Sequence, residues 1–157
     1  MAAEARRLAL EATGHYERRE QGIGRFVDLE AIEDRSPVET TDILRREPAV
    51  RLVPDFGGDG GTGTALFFRG AVRGLQPGGG RYCVPTLVLD GVKVRDSGPL
   101  AGDSATGRRP IRLNELVHPT EILAVELYPS GAGAPLQWSG LDAGCGVVLI
   151  WTKRRRP

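Results

Sequence analysis

Near the C-terminus, Gly146 to Thr152 read "GVVLIWT", a run of apolar side chains that does not alternate with polar ones. A strand with one wet face alternates, whereas a strand buried on both faces reads as a continuous apolar run. The run is also far shorter than the roughly 20 residues a membrane-spanning helix needs, and no other stretch approaches that length. It therefore predicts a central strand of a sheet covered on both sides. The basic residues of "KRRRP", from Lys153 to Pro157, mark where that strand leaves the protein.

At 157 residues the chain has the length of one domain, enough for a hydrophobic core. Hydrophobic residues make up 40% and charged ones 26%, as in a globular protein. The net charge of +1 gives no field to steer nucleic acid or anionic lipid. Only Lys93 and Lys153 are lysines among the 21 cations. With so much Ala and Gly, that points to a GC-rich genome rather than an arginine-specific function. The opening "MAAEARRLALEATG" is charged and amphipathic and lacks the apolar core of a secretory signal.

Residues 3–12 favour a helix, with Leu8 and Leu10 as its apolar face and Gly14 as its end. "GRFVD" predicts a short strand around Phe26. Asp28 then caps a short helix that buries Leu29 and Ile32. Ser36 and Glu39 have capping-box spacing with Pro37 between them, which predicts a helix over 37–46 stopped by Pro48. Strands follow at "AVRLVP", "TALFFRG" and "YCVPTLVLD", with an Asp90-Gly91 hairpin turn into "VKV". Pro85 suits an edge or a strand start. Residues 55–63 and 71–82 are glycine-rich loops, and 95–110 reads as irregular. "RLNELV" predicts a helical turn with Leu113, Leu116 and Val117 on one face. In "LAVELY", Leu123, Val125 and Leu127 point one way and Ala124, Glu126 and Tyr128 the other. The fold class is α+β: a small mixed sheet holding 64–69, 84–89, 123–128 and 146–152, short helices and long glycine-rich loops.

Chemistry-bearing motifs are weak. Gly58, Gly60, Gly61 and Gly63 have G-x-G-x-x-G spacing, yet "TALFFRG" after them reads as a strand where a phosphate loop needs a helix. Asp55 and Asp59 lack the closing Glu of a calcium loop. Cys83 and Cys145 have no partner at metal-ligand spacing, and no serine sits in a nucleophile elbow. His15 and His118 read as surface or helix-end residues, and Glu121 and Glu126 as members of solvated faces. The expectation is no catalytic residue, no metal and no cofactor. The terminal cations lack the aromatic interleaving of a single-strand binder, so no nucleic-acid partner is expected. Tyr16, Phe26, Phe67 and Phe68 read as core.

The order of the blocks resembles the plug domain of TonB-dependent outer-membrane receptors. The matching segments are "TDILRREPAV" with Pro48, "ALFFRG" ending at Arg69-Gly70, "TLVLDGVKV" with Asp90-Gly91, "EILAVELYPSGAGAP", and "GCGVVLIWTKR" with Gly144 and Gly146. The resemblance covers roughly residues 15–153. It departs from the family at Ala49, where the family has glycine, and no TonB box precedes residue 15, so a TonB contact is doubtful. It implies a plug-like domain over 15–153, flanked by a helix or linker at 1–14 and a basic tail at 154–157.

In function, the resemblance implies a non-enzymatic module of the bacterial cell envelope, in the periplasm or outer membrane, with a leader expected upstream of Met1. Its work would be binding or occlusion through the glycine loops. The implied partners are an outer-membrane barrel or a small-molecule or peptide ligand. The plug-like strand order sets the strands after Cys83 and Cys145 side by side, so an oxidising periplasm would let that pair close as a disulfide; the alternative is two buried free thiols, which a cytosol would keep reduced. Two other readings stand beside it: an enzyme whose site is assembled from dispersed residues, and a cytosolic interaction module.

Overall fold

The structure, a computed structural model, describes residues 3–54, 63–69, 83–95, 98–99, 109–139 and 143–153. The apolar run forms β9 (Val147–Thr152) at the centre of a five-stranded sheet. β8 (Ile122–Tyr128) flanks it antiparallel and β5 (Thr86–Leu89) flanks it parallel. β1 (Arg25–Val27) pairs with β8, and β6 (Val92–Arg95) pairs with β5, giving the order β1-β8-β9-β5-β6. The run does not alternate because each face of β9 meets its own core. Val148 and Ile150 join one cluster, while Val147, Leu149 and Trp151 join another. Each such side chain withdrawn from water contributes roughly 1.5–3 kcal/mol before entropy is counted.

The first core is closed by α3 (Leu29–Arg35), a 3-10 helix at Thr40–Leu44, α4 (Leu113–Leu116), and a hairpin of β2 (Val50–Val53) and β3 (Ala65–Phe68). The second is closed by α1 (Ala3–Glu11), α2 (His15–Gln21) and α5 (Leu136–Ser139). Asp28 caps α3 by accepting from Ala31 N at 3.0 Å, as its position predicts. The β5–β6 turn has φ of 50° at Asp90 and 85° at Gly91, the pair of positive values a type I′ turn requires. The short β4 (Cys83–Val84) precedes Pro85 and pairs with β7 (Gly98–Pro99).

Several expectations are corrected. Segment 64–69 lies outside the main sheet: β3 pairs with β2, and Leu66 bridges to Ile111. The helix over 37–46 is a five-residue 3-10 turn. Ser36 cannot cap it, because Ser36 ends α3 in the left-handed region at φ 44°. Asp42 instead accepts from Val38 N and Glu39 N at 3.1 and 2.9 Å. α2 was not anticipated, since its sequence "HYERREQ" carries no apolar stripe. In α4, Leu113 is buried but Leu116 is 43% exposed. A pairing irregularity between Ile122 and Ala124 puts Leu123 in the second core with Ala124 and Tyr128, away from Val125 and Leu127. The glycine-loop positions Gly58, Gly60 and Gly61, Asp55 and Asp59, residues 71–82, Gly70 and the tail 154–157 lie outside the described residues.

Candidate functional site

On β8, Glu126 and Tyr128 share the face that meets the second core, as residues two apart on a strand do. Across the sheet Glu126 is opposite Leu149, which brings Trp151, two residues further along β9, to the same face. α2 lies over this face and projects His15 and Arg18, three residues apart on one side of the helix. All four side chains converge on the Glu126 carboxylate, which is fully buried.

Its Oε1 accepts from Arg18 Nε at 2.7 Å and from the Tyr128 hydroxyl at 2.6 Å. Its Oε2 accepts from Arg18 Nη2 at 2.8 Å, Trp151 Nε1 at 2.6 Å and His15 Nδ1 at 3.1 Å. Arg18 also donates from Nη1 to the Thr13 carbonyl at 2.9 Å, so one guanidinium ties the α1–α2 turn to the sheet. The Arg18 guanidinium lies 5.8 Å from the Trp151 ring centroid, and the His15 ring meets Tyr16 and Phe26 edge-on. His15 Nε2 is buried and has no hydrogen-bond partner among the described residues.

Burial by itself pushes the Glu126 carboxyl up. The hydrogen bonds from Arg18, His15, Tyr128 and Trp151 outweigh it and hold the group down at about 2. Burial and the Glu126 charge together push the Tyr128 hydroxyl well above the ordinary tyrosine range. A carboxylate offers about four lone-pair sites, and five donors occupy this one. Chemically the arrangement fastens α2 to the sheet, and it leaves Glu126 no free lone pair for a substrate proton.

One sequence expectation is therefore overturned and one is met in part: Glu126 is not on a solvated face, and His15 is a helix-end residue, the first of α2, but a buried one rather than a surface one. Both are buried because α2, unseen in the sequence, covers that face. The signal that could have found them is a lone glutamate in an apolar strand together with a His and an Arg at helical spacing. His118 is an exposed helix-end residue as expected: its ring accepts from Thr120 N at 3.3 Å. Glu121 closes the 3-10 helix Pro119–Glu121 and is not among the side chains that meet Glu126. Among the described residues no His, Cys, Asp or Glu cluster could hold a metal ion.

The motif positions serve the fold. Pro48 lies between the 3-10 helix and β2, and Arg69 N donates to the Ala49 carbonyl at 2.9 Å just after β3. Asp90 accepts from Thr152 N at 2.7 Å and Thr152 Oγ1 at 2.6 Å, fastening the hairpin turn to the end of β9. The Gly91 carbonyl accepts from Trp138 Nε1 at 3.1 Å. Gly144 lies in a short 3-10 turn ahead of β9, and Gly146, at φ 94°, lets that strand pass under Phe68. Cys83 and Cys145 form a disulfide with Cα atoms 5.3 Å apart, and both are buried in the first core. Thr86 pairs with Val147, so the parallel β5–β9 pair does bring the two cysteines together.

No family model and no curated protein matches the sequence. Among solved structures, the chain is similar to the siderophore receptor PirA from Acinetobacter baumannii. That likeness has a TM-score of 0.47 and 20% identity, over 85% of this chain and 18% of that one. It is also similar to the RagAB peptide importer in its open-open state, with a TM-score of 0.46 and 14% identity, over 85% of this chain and 12% of that one. The chain spans less than a fifth of either structure's chain. Likenesses this distant carry no statement about function.

Proposed function

We propose that this chain is a non-enzymatic, plug-like domain of the bacterial cell envelope that works by binding or occlusion. The observation that carries the reading is the joining of two motif blocks. "TLVLDGVKV" and "GCGVVLIWTK" form adjacent parallel strands, clasped at one end by Asp90 on Thr152 and at the other by Cys83–Cys145. A buried disulfide suits an oxidising compartment, which supports the periplasmic side of the envelope. The saturated Glu126 carboxylate supports a structural rather than a catalytic role for the buried ionic cluster.

Fractionation of cells expressing the gene, with thiol labelling of each fraction, tests the compartment. The expected result is recovery with the envelope and no reactive thiol at Cys83 or Cys145. Recovery in the cytosol with both thiols free would sink the reading and favour a cytosolic interaction module. Binding or occlusion is tested by co-expression with a candidate barrel, scoring co-purification and reduced solute permeation.

A further inference from the structure

We propose that the half-open cleft between the α1–α2 turn and the end of β9 binds a small primary alkylammonium ion. The cleft has a volume of about 160 Å³. Leu10 and Thr13 line one side, Leu123 and Trp151 the other, and Asp90 and Thr152 complete it. What selects the ligand is that the polar groups here can accept but not donate. The Thr13 hydroxyl donates to the Leu10 carbonyl at 2.6 Å, and the Thr152 hydroxyl to Asp90 Oδ2 at 2.6 Å. The Trp151 N–H is held on Glu126. The backbone amides of Ala12, Thr13, Asp90 and Thr152 all donate within the fold.

The acceptors, by contrast, are not used up. A carboxylate has about four lone-pair sites, and on Asp90 only the Thr152 N–H and hydroxyl fill any among the described residues. His15 N takes one lone pair of Thr13 Oγ1 at 3.3 Å and leaves the other. An ammonium is the complement of such a site, since it carries N–H donors and no acceptor. A carboxylate or carbonyl guest would set lone pairs against lone pairs. No cation among the described residues pairs with Asp90, so the ammonium supplies its countercharge. Arg18, beside the Trp151 ring, is already matched by Glu126. The open side leaves the ligand part of its hydration, which spares it the cost of full burial. Leu10 and Leu123 give a short alkyl stem an apolar bed. This site stands apart from the envelope reading, since it needs only the fold.

The test is titration of the whole chain with butylammonium chloride at constant ionic strength. It is followed through the Thr152 amide resonance, whose proton is donated to Asp90. A saturable shift with a midpoint in the millimolar range is expected. Tetramethylammonium has the charge without an N–H donor, and butanol has the stem without the charge. Neither should saturate in the same range. Asp90→Asn keeps the turn and an acceptor but removes the charge, and is expected to weaken binding by about tenfold or more. Ala12→Leu crowds the cleft without altering a polar group and is expected to do the same, so a folding defect in one variant does not decide the matter. Val38→Ala, at a side chain 83% exposed and outside the cleft, is expected to leave the midpoint unchanged. A shift that never saturates, an equal response to tetramethylammonium, or an unchanged midpoint in a folded Asp90→Asn chain overturns the proposal.

Discussion

Glu126 is the residue whose chemistry differs most from its surroundings. It holds a full charge inside a core, and only because Arg18 neutralises it and three further side chains donate to it. Breaking such a pair from one side leaves the other charge buried, which typically costs about 3–5 kcal/mol. Glu126→Gln is therefore expected to lower stability by about 3 kcal/mol in urea denaturation. The amide also brings N–H donors where His15, Tyr128 and Trp151 need acceptors. The same carboxyl sets a pH dependence. Its pKa falls from 4.5 to about 2 on folding, so its contribution is full above about pH 5 and lost as the pH falls towards 2. A shift of that size corresponds to about 3 kcal/mol. Denaturation midpoints measured at pH 7 and pH 3 should show the loss, and Glu126→Gln should flatten that part of the profile.

At the scale of elements, two junctions fix how β5, β6 and β9 meet. The Asp90-Gly91 turn needs positive φ at both residues, and Asp90 also holds Thr152 by two hydrogen bonds. Asp90→Ala loses both bonds and strains the turn, with an expected cost of roughly 2–3 kcal/mol. Asp90→Asn tolerates the left-handed region and keeps an acceptor, so it should cost less than half as much. A thermal-melt comparison of the two variants checks this, and equal losses would remove the role given to the Thr152 bonds. Gly146 is more demanding. At φ 94°, an added Cβ would overlap the Phe68 ring and lie 2.9 Å from the Pro129 carbonyl oxygen. Gly146→Ala is expected to be the more severe of the two junction changes, by about 3 kcal/mol or more, because both the backbone and the first core must shift.

Across the whole molecule, the sheet is held from both sides by different means. On one side lies an apolar core with the disulfide; on the other, a second apolar core with the ionic cluster under α2. The disulfide closes a loop of 62 residues, for which the chain-entropy model gives about 4 kcal/mol. Single domains typically have about 5–15 kcal/mol in total, so this is a large share. Replacing both Cys83 and Cys145 by Ala is expected to remove about that much in guanidinium denaturation. Reductant should reproduce the loss in the wild-type chain and have no effect on the double variant. A wild-type chain indifferent to reductant would show that the bridge contributes nothing.

The sequence by itself determined the central strand, the I′ turn and the cap at Asp28. Each depends on residues within a few positions of one another: the unbroken apolar run of β9, the Asp-Gly pair, and a side chain that reaches the backbone three residues on. Tertiary structure alone decided the pairing of β3 with β2 and the fate of Glu126 and His15. Strand pairing is a choice among distant partners, and "TALFFRG" carries no mark that distinguishes β2 from the central sheet. Glu126 reads as one polar residue on a strand until α2 brings His15 and Arg18 to it from more than 100 positions away. Alternation along a strand reports which residues share a face, but whether that face meets water is settled by what packs over it.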